Sequence, residues 1–422
     1  MSLEKKVRAS LKWKKGSKYC AKRLGISIEE YIRVKKSVTH ADKFKSIDHD
    51  QHHDLDSGQS KITGISENEP KSADDIIKLL NIDTTKWRLS QYWNKQMSDH
   101  WRISALITKI KEDGATKKYD CVVGVSGGLD SAYLVYKLVK LGVRPIAVHF
   151  DNGWNSEAAT QNIETLLKKL NVDLYTYVCD WEEFKDLQMS FLKAGVVDIE
   201  LVTDHAISAT MYDAAKKFNT KYIFQGHNQS SEFILPEAWI HWKNDALNIK
   251  SIHKKYGSVR LKTLPLLTFF KEYYHLKYRK TNYIYLLDYI DYNKKEAELI
   301  LKEEFGWKNY GAKHNESIFT RFYQNYILPK KFNIDKRKAH LSSLICSNQI
   351  TREEALEELK TRCWETDETK QDKAYVLKKL GVSETIFDAW MEETPVSHFD
   401  FASYLTRHNQ IITALKKLIG KR

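Results

Sequence analysis

The residues whose types and spacing could do chemistry stand together in one short run, residues 126–131 (SGGLDS). Its two glycines, Gly127 and Gly128, let main-chain N–H groups converge on an anion with no Cβ in the way. Ser126 and Ser131 add hydroxyl donors for phosphate oxygens. A carboxylate such as Asp130 repels phosphate unless Mg²⁺ or a reacting group lies between them. The run therefore predicts a loop that binds phosphate, with Mg²⁺ at Asp130.

Strands and helices alternate around this loop. An apolar run at 120–125 precedes it and a helical pattern follows, and further strands are expected at 145–150, 173–178 and 222–225. Such alternation predicts an α/β fold, a Rossmann-like parallel sheet covered by helices on both faces, with helical regions before and after it. Ligands of such sheets bind beyond the carboxyl ends of the strands.

Composition limits the class of protein. The 422 residues are 42% hydrophobic and 29% charged, with no uncharged apolar stretch of membrane-spanning length and no secretory signal, so we expect a cytoplasmic protein without a membrane partner. The five cysteines are widely spaced and form no CxxC pair, which argues against a disulfide framework or a zinc ribbon. The net charge of +13 favours an anionic partner, either nucleic acid or a phosphorylated small molecule.

The chain divides into five expected parts. They are a basic helical extension at 1–45, a polar linker at 46–75, a helical connector at 76–117, the loop-bearing domain at 118–265 and a helical C-terminal region at 266–422, which we expect to bind substrate. The extension resembles a helix-turn-helix, which would bind nucleic acid, but a two-helix accessory hairpin fits the same pattern.

The run at 126–131, between a strand and a helix, resembles the pyrophosphate loop of the N-type ATP pyrophosphatases, the PP-loop superfamily. Those enzymes share the adenine nucleotide α-hydrolase-like fold and cleave ATP into AMP and pyrophosphate. From about residue 115 to 400 the chain also resembles the N-acetyl sugar amidotransferase family. The runs that carry this second resemblance are 150–173, 223–239, 252–265, 283–297, 310–359 and 372–391.

This resemblance implies an ATP-dependent, AMP-forming carbon–nitrogen ligase. Members of the family are taken to adenylylate the acetamido oxygen of a sugar and to replace it with ammonia, giving an acetamidino group for surface polysaccharides. The chain departs from the family in two places. It lacks the Cys-rich segment that relatives carry, so no zinc site is carried over, and Leu129 stands where many relatives have Lys.

The resemblance and the strand ends together give the expected site. ATP and pyrophosphate would contact Ser126, Gly127, Gly128, Asp130, Ser131, Phe150, Asp151 and Gly226. The expected catalytic residues are Asp130, Asp204, His205 and Glu232, of which Asp130 and Glu232 would hold Mg²⁺. For Asp204 and His205, capping of a helix is the open alternative.

Substrate binding is expected from polar residues farther along the chain. They are Asn228, Lys313, His314, Glu316, Arg321, Lys331, Arg337 and His340. Basic groups interleaved with aromatic residues suit a sugar phosphate or nucleotide-sugar, although a solvated helix face fits the same composition.

The source of nitrogen follows by elimination. No cysteine lies in a nucleophile elbow, so we expect a separate glutaminase subunit, or free ammonia, to supply the nitrogen. Two other readings stay open. One is modification of a nucleic acid or its base by the same adenylylation, and the other is a DNA-binding protein whose loop has lost its activity.

Overall fold

The computed structural model describes residues 99–309, 311 and 315–406, which all belong to one structural unit. Outside the described residues lie the expected extension at 1–45, the expected linker at 46–75, residues 76–98 of the expected connector, and two candidate site residues, Lys313 and His314. Within the described ranges, no helix combines the length and the apolar character needed to cross a bilayer.

A five-stranded parallel sheet forms the centre of the unit. Its strands are β1 (Cys121–Gly124), β2 (Pro145–Asp151), β3 (Leu174–Val178), β4 (Tyr222–Phe224) and β5 (Asn282–Ile284). The spatial order is β3-β2-β1-β4-β5, and all four pairings are parallel. The expectation of a parallel α/β sheet is confirmed, and the strands predicted from the sequence lie within a residue or two of their expected ends.

The fifth strand was not predicted. It has three residues and lies beyond residue 265, where the loop-bearing domain was expected to end. So short a strand has too little hydrophobic pattern to be recognised in a sequence rich in tyrosine. The sheet therefore takes its last strand from the region that was expected to be helical.

Helices cover both faces of the sheet and form the C-terminal region. Up to β5 they are α1 (Asp99–Gly114), α2 (Leu129–Lys140), α3 (Glu157–Leu170), α4 (Trp181–Ala194), α5 (Leu201–Lys217), α6 (Gln229–Glu232), α7 (Ala246–Tyr256) and α8 (Phe269–Lys277). After β5 follow α9 (Lys294–Phe305), α10 (Ile318–Phe322), α11 (Leu328–Phe332), α12 (Arg337–Cys346), α13 (Arg352–Leu359), α14 (Asp367–Leu380) and α15 (Glu384–Glu392). A π-helical turn, Tyr323–Ile327, joins α10 to α11.

Local sequence explains where several helices begin. Ser156 accepts the N–H of Ala159 at the start of α3, and Asp180 accepts the N–H of Glu183 at the start of α4. Gly195, in the left-handed region at φ 65°, ends α4. These caps set the points at which the chain leaves the strands and enters the helices.

Alternate residues of the strands supply two hydrophobic layers. On one face, Val123 and Phe224 pack with residues of α1, α2, α3 and α9, including Ile110 and Leu134. On the other face, Val122, Ile146 and Ile223 pack against α5. Strands β1 and β2 are buried on both faces, as expected for a parallel sheet whose two sides are covered.

A third hydrophobic cluster joins the C-terminal helices to the sheet domain. Phe184 and Phe191 of α4 are fully buried against Phe319 and Phe322 of α10, with Phe387 of α15 in the same cluster. Burial of each such ring stabilises the fold by roughly 1.5–3 kcal/mol. The C-terminal region is therefore held to the sheet domain by a shared core.

Candidate functional site

The loop between β1 and α2 is shaped by Gly127. Its φ is +81°, in the region that side chains rarely adopt, and a Cβ there would lie 2.4 Å from the carbonyl oxygen of Ala159. The loop therefore passes against the first turn of α3 at a distance that only glycine permits.

We expect Gly127→Ala to destabilise the protein through this contact. Gly306 provides a matched control, since its φ is +71° and nothing lies within 4 Å of a Cβ built there. Both variants suffer backbone strain, but only Gly127→Ala adds a clash, so it should lower the free energy of unfolding by about 1–3 kcal/mol more. Urea unfolding at neutral pH measures the difference, and equal losses in the two variants would show that the loop relaxes at no cost.

Hydroxyl groups and main-chain donors line the loop. The Oγ of Ser131 accepts the N–H of Ser126 at 3.2 Å and donates to the carbonyl of Gly128 at 3.0 Å. Gly127 is buried, and its N–H donates to no acceptor within the described ranges. The N-terminus of α2, which is 12 residues long, follows directly and adds the positive end of its dipole. These features fit an anion with several oxygens, such as pyrophosphate.

Asp130 is held by a tyrosine that the sequence analysis did not select. The hydroxyl of Tyr292 donates to Oδ1 of Asp130, and the ring of Tyr292 packs at 5.6 Å from that of Tyr133. The main-chain carbonyl of Tyr292 accepts from Gln349 at 3.2 Å. Tyr292 lies in a tyrosine-rich stretch, and nothing in the sequence marked its hydroxyl as different.

The end of β4 lies directly against the loop. A Cβ on Gly226 would lie 2.7 Å from the main-chain nitrogen of Ser131, so Gly226 lets the two segments meet. Asn228 was expected to bind substrate, but this expectation is corrected. Its side chain is fully buried, and its Oδ1 accepts from both the N–H and the hydroxyl of Ser231 at 3.0 Å, so it caps α6.

Phe150 and Asp151, at the end of β2, have different structural roles. The ring of Phe150 is 8% exposed and lies 6.0 Å from both Tyr177 and Phe184, so it belongs to the core. Only the main chain of Phe150 could border a nucleotide, which corrects the expectation for its side chain. Asp151 Oδ1 accepts from the N–H of Gly153 at 2.8 Å. That bond shapes the turn after the strand.

The segment that begins the C-terminal helices pairs with this turn. The N–H of Ser156 donates to the carbonyl of Glu316 at 2.8 Å, and the N–H of Ile318 donates to the carbonyl of Trp154 at 2.9 Å. The hydroxyl of Ser126 donates to Oε1 of Glu316 at 3.3 Å. Glu316, expected from the sequence to bind substrate, is thus placed beside the loop.

A group of charged residues lies at the N-terminus of α5. Thr320 Oγ1 donates to Oε2 of Glu200 at 2.8 Å and lies 3.0 Å from Oγ of Ser317. Burial, with nearby Asp204 adding to it, raises the pKa of Glu200 to about 7. Glu200 was missed by the sequence analysis because its hydrogen-bond partner, Thr320, is remote in sequence.

Lys243 holds the carboxylates of this group together. Its Nζ lies 2.7 Å from Oδ2 of Asp198 and 2.9 Å from Oδ2 of Asp204. Burial opposes the charge on Lys243, but the two carboxylates outweigh it and raise the pKa of the ammonium. Lys336 is half-buried near them, and burial together with the charge of Lys243 lowers its pKa. Asp204 is therefore paired with Lys243 and lies near Lys336, two lysines that had not been predicted.

His205 does not face the site, which corrects its expected catalytic role. It is fully buried, its Nε2 accepts the N–H of Leu267 at 2.9 Å, and its Nδ1 lies 2.8 Å from the carbonyl of Lys243. The hydrogen bond from Leu267 requires Nδ1 to carry the proton and donate to Lys243. Burial lowers the pKa of His205 to about 4, so the ring is neutral at pH 7 and links two loops.

A second group of acids follows β4 and β5. Nδ1 of His227 pairs with Oε2 of Glu232, and Asp288 Oδ1 accepts the N–H of Gln229 at 2.7 Å. Burial raises the pKa of Asp288 to about 6. In the part of the chain that is described, no group of three or more His, Cys, Asp or Glu residues could hold a metal ion. Mg²⁺ at Asp130 or Glu232 would therefore need phosphate oxygens to complete its ligands.

The basic residues of the C-terminal region are mostly used within the fold. Arg321 donates to both carboxylate oxygens of Asp372, at 2.6 and 2.7 Å, and Arg337 donates to both of Asp335, at 3.0 and 2.7 Å. Lys331 donates to main-chain carbonyls at the end of α15. The expectation that these three cations bind substrate is corrected, because the donors of all three are already used in hydrogen bonds within the fold. His340 is half-buried on α12.

Comparison with known proteins found a family model, a curated protein and two solved structures that are similar to this chain. Residues 316–416 match the family described as LPS biosynthesis protein WbpG-like, C-terminal domain. A stretch of 123 residues is 30% identical to tRNA(Ile)-lysidine synthase of Chlamydia pneumoniae and covers 28% of this chain. The chain spans about a third of that relative, since the aligned part covers 35% of it.

Two solved structures are similar at 17% identity. One is NMN synthetase from Francisella tularensis, with 45% of this chain and 72% of that chain covered and a TM-score of 0.26. The other is the NH₃-dependent NAD synthetase from Campylobacter jejuni in complex with nitrate, with 61% and 96% covered and a TM-score of 0.27. The fold is assigned from the pairing of its five strands and not from these two structures. The sequence of residues 316–416 is therefore similar to a WbpG-like C-terminal domain of LPS biosynthesis, and the part of the chain before it folds around a parallel α/β sheet with a glycine-rich loop after its first strand.

Proposed function

We propose that this protein is an ATP-dependent, AMP-forming ligase that converts the acetamido group of a sugar into an acetamidino group. The observation that carries the proposal is the contact between Ser126 of the loop and Glu316. Glu316 opens the segment that matches a lipopolysaccharide-biosynthesis family, so this segment borders the loop that would bind ATP. A phosphate loop beside a glycan-related domain supports transfer of AMP to a sugar.

The reaction would proceed in two steps. The amide oxygen attacks the α-phosphorus of ATP, the bond between the α- and β-phosphates breaks, and pyrophosphate leaves into the glycine-lined loop. Ammonia then adds to the amide carbon, the carbon–oxygen bond to AMP breaks, and the added nitrogen loses a proton. Mg²⁺ would arrive with ATP, held by phosphate oxygens and by Asp130, with Glu232 as a second carboxylate, and would offset the phosphate charge.

We assign to Glu200 the role of accepting the proton that the added nitrogen loses. Thr320 contacts both Glu200 and Ser317, and Glu316, which precedes Ser317 in the chain, accepts a hydrogen bond from Ser126 of the loop. A carboxyl that titrates near neutral pH can accept a proton from ammonium or from the adding nitrogen. Asp204 and its partner Lys243 would bind polar groups of the acceptor.

The titration of Glu200 can be measured without a substrate. Because its folded pKa is raised, its contribution to stability is complete below pH 4.5 and is lost as the pH rises through about 7. Relative to the native protein, Glu200→Gln should therefore gain stability between pH 5 and pH 8, by on the order of 2 kcal/mol. Urea unfolding at the two pH values measures this, with exposed Glu164→Gln as a control that should show no such change.

Ammonia would come from outside this chain, as free ammonia or from a separate glutaminase subunit. Three of the four described cysteines, Cys121, Cys179 and Cys363, are buried. Burial raises the pKa of each thiol, to about 12 for Cys179, so none is a thiolate nucleophile at neutral pH. This supports a chain that uses ammonia and does not release it from glutamine.

A second candidate is modification of a nucleic acid by the same adenylylation. It is favoured by the 30% identity to a protein named tRNA(Ile)-lysidine synthase and by the net charge of +13. In that case the acceptor would be a base and not an acetamido sugar.

The two candidates differ in what stimulates AMP release. The full chain is incubated with ATP, Mg²⁺ and ammonium chloride, together with either a panel of acetamido nucleotide-sugars or transfer RNA. We expect AMP and pyrophosphate in equal amounts only with one of the sugars, with an amidine product one mass unit lighter than that sugar. AMP release that depends on RNA would replace the first candidate by the second, and no release with either would contradict both.

A further inference from the structure

Helix α8 carries its aromatic residues on the outside. Phe270 is 81% exposed and Tyr278, just after the helix, is 74% exposed, while Phe269, Tyr273 and Tyr274 are each at least 40% exposed. The only buried residue of the helix is His275. Helices at the surface of globular proteins usually bury such rings and expose polar residues, so the exposure of side chains along α8 is the reverse of the usual pattern.

The exposed rings form one continuous surface, which we call the α8 aromatic surface: Phe269, Phe270, Tyr273, Tyr274 and Tyr278. Phe269 contacts Phe270 at 5.7 Å and Tyr273 at 6.4 Å, and Tyr278 contacts Tyr273 at 6.2 Å and Tyr274 at 6.1 Å. A contiguous apolar surface of this kind on a soluble protein marks a contact site.

Positive charge surrounds these rings. Lys277 and Lys280 are exposed in the same segment, and Lys216 lies over the ring of Tyr274 at 5.8 Å. The acidic residues nearby already have hydrogen-bond or ion-pair partners within the fold. Glu272 accepts from Asn244 at 2.6 Å, and Asp213 pairs with Lys271 at 2.7 Å. The surface therefore presents aromatic rings and cations together.

We propose that the α8 aromatic surface binds the interface of an anionic lipid membrane. Tyrosine and phenylalanine rings insert at the level of lipid headgroups, and lysines around them attract anionic lipid. A peripheral contact of this kind needs no membrane-spanning segment, and it does not depend on the proposed catalytic activity.

Co-sedimentation of the full chain with vesicles tests this. Vesicles of phosphatidylglycerol and phosphatidylethanolamine should bind the protein at low salt, and phosphatidylcholine vesicles should not. The double variant Phe270→Ser/Tyr278→Ser should lower the bound fraction about tenfold, since it removes the two most exposed rings. Phe399→Ser removes a ring that is 58% exposed elsewhere and should leave binding unchanged.

Three results would overturn the proposal. They are no binding of the native protein to anionic vesicles, equal binding of the double variant, and a surface that instead joins two copies of the chain. Light scattering identifies the last case, as a native dimer that becomes monomeric in the double variant without any binding to vesicles. Circular dichroism of each variant checks that the fold is retained, as expected for exposed positions.

Discussion

Replacing Asp130 by Asn is expected to reduce AMP formation by about 100-fold or more, the loss typical of removing one preorganised polar group from a phosphoryl-transfer site. The carboxylate supplies the negative charge that would hold Mg²⁺ among the phosphates, and an amide does not. Asn keeps an oxygen that can accept from the hydroxyl of Tyr292, so the loop should keep its shape. The effect should therefore appear in chemistry and not in folding.

Two measurements distinguish an effect on chemistry from an effect on folding. Chromatography of quenched reactions gives the rate of AMP formation with the accepted sugar, and calorimetry gives the affinity for ATP with and without Mg²⁺. The variant should lose most of the effect of Mg²⁺ on ATP affinity while its urea unfolding stays unchanged. Asp173→Asn is the control, because that carboxylate is exposed, pairs with Lys118 and precedes β3, at the amino end of the parallel strands and away from the loop at their carboxyl end. Normal ATP affinity and AMP formation in the Asp130 variant would remove this residue from the site.

Lys243→Met should produce the largest loss of stability. The variant leaves Asp198, whose side chain is 3% exposed, as a buried charge without its cation. Removal of one partner from a buried pair costs about 3–5 kcal/mol, because the remaining charge is neither solvated nor matched. The free energy of unfolding in urea at pH 7 measures the loss.

Two further variants show whether burial is the cause. Lys370 pairs with Asp367 at 2.8 Å, but both side chains are well exposed, so Lys370→Met should change stability by less than about 0.5 kcal/mol. Adding Asp198→Asn to Lys243→Met removes the stranded charge and should recover part of the loss. Equal losses for Lys243→Met and Lys370→Met would contradict the role assigned to the buried pair.

The sequence was sufficient for the parts of the fold that depend on local pattern. Buried parallel strands are continuous apolar runs, so β1 and β2 could be recognised, and glycines between a strand and a helix marked the loop. Gly226 and Glu316 were also expected at the site, and the structure places both beside the loop.

Properties that depend on distant partners could not be predicted. Glu200 accepts a hydrogen bond from Thr320, and the charge of Arg321 is matched by Asp372. His205 was expected to be catalytic because it follows Asp204 at the start of a helix. Both of its ring nitrogens instead form hydrogen bonds with the main chain of Leu267 and Lys243. In each case the decisive contact joins residues that no local pattern connects.

The cluster shared by α4 and the C-terminal helices has a consequence for how the protein can be divided. Residues 316–416 match a family by themselves, yet Phe319 and Phe322 are buried against Phe184 and Phe191, which precede that segment. Either part alone would expose these rings to water, so a fragment cut near residue 316 should aggregate or stay unfolded. The family match therefore begins inside one cooperative folding unit and not at a domain boundary. We expect neither part to be stable without the other.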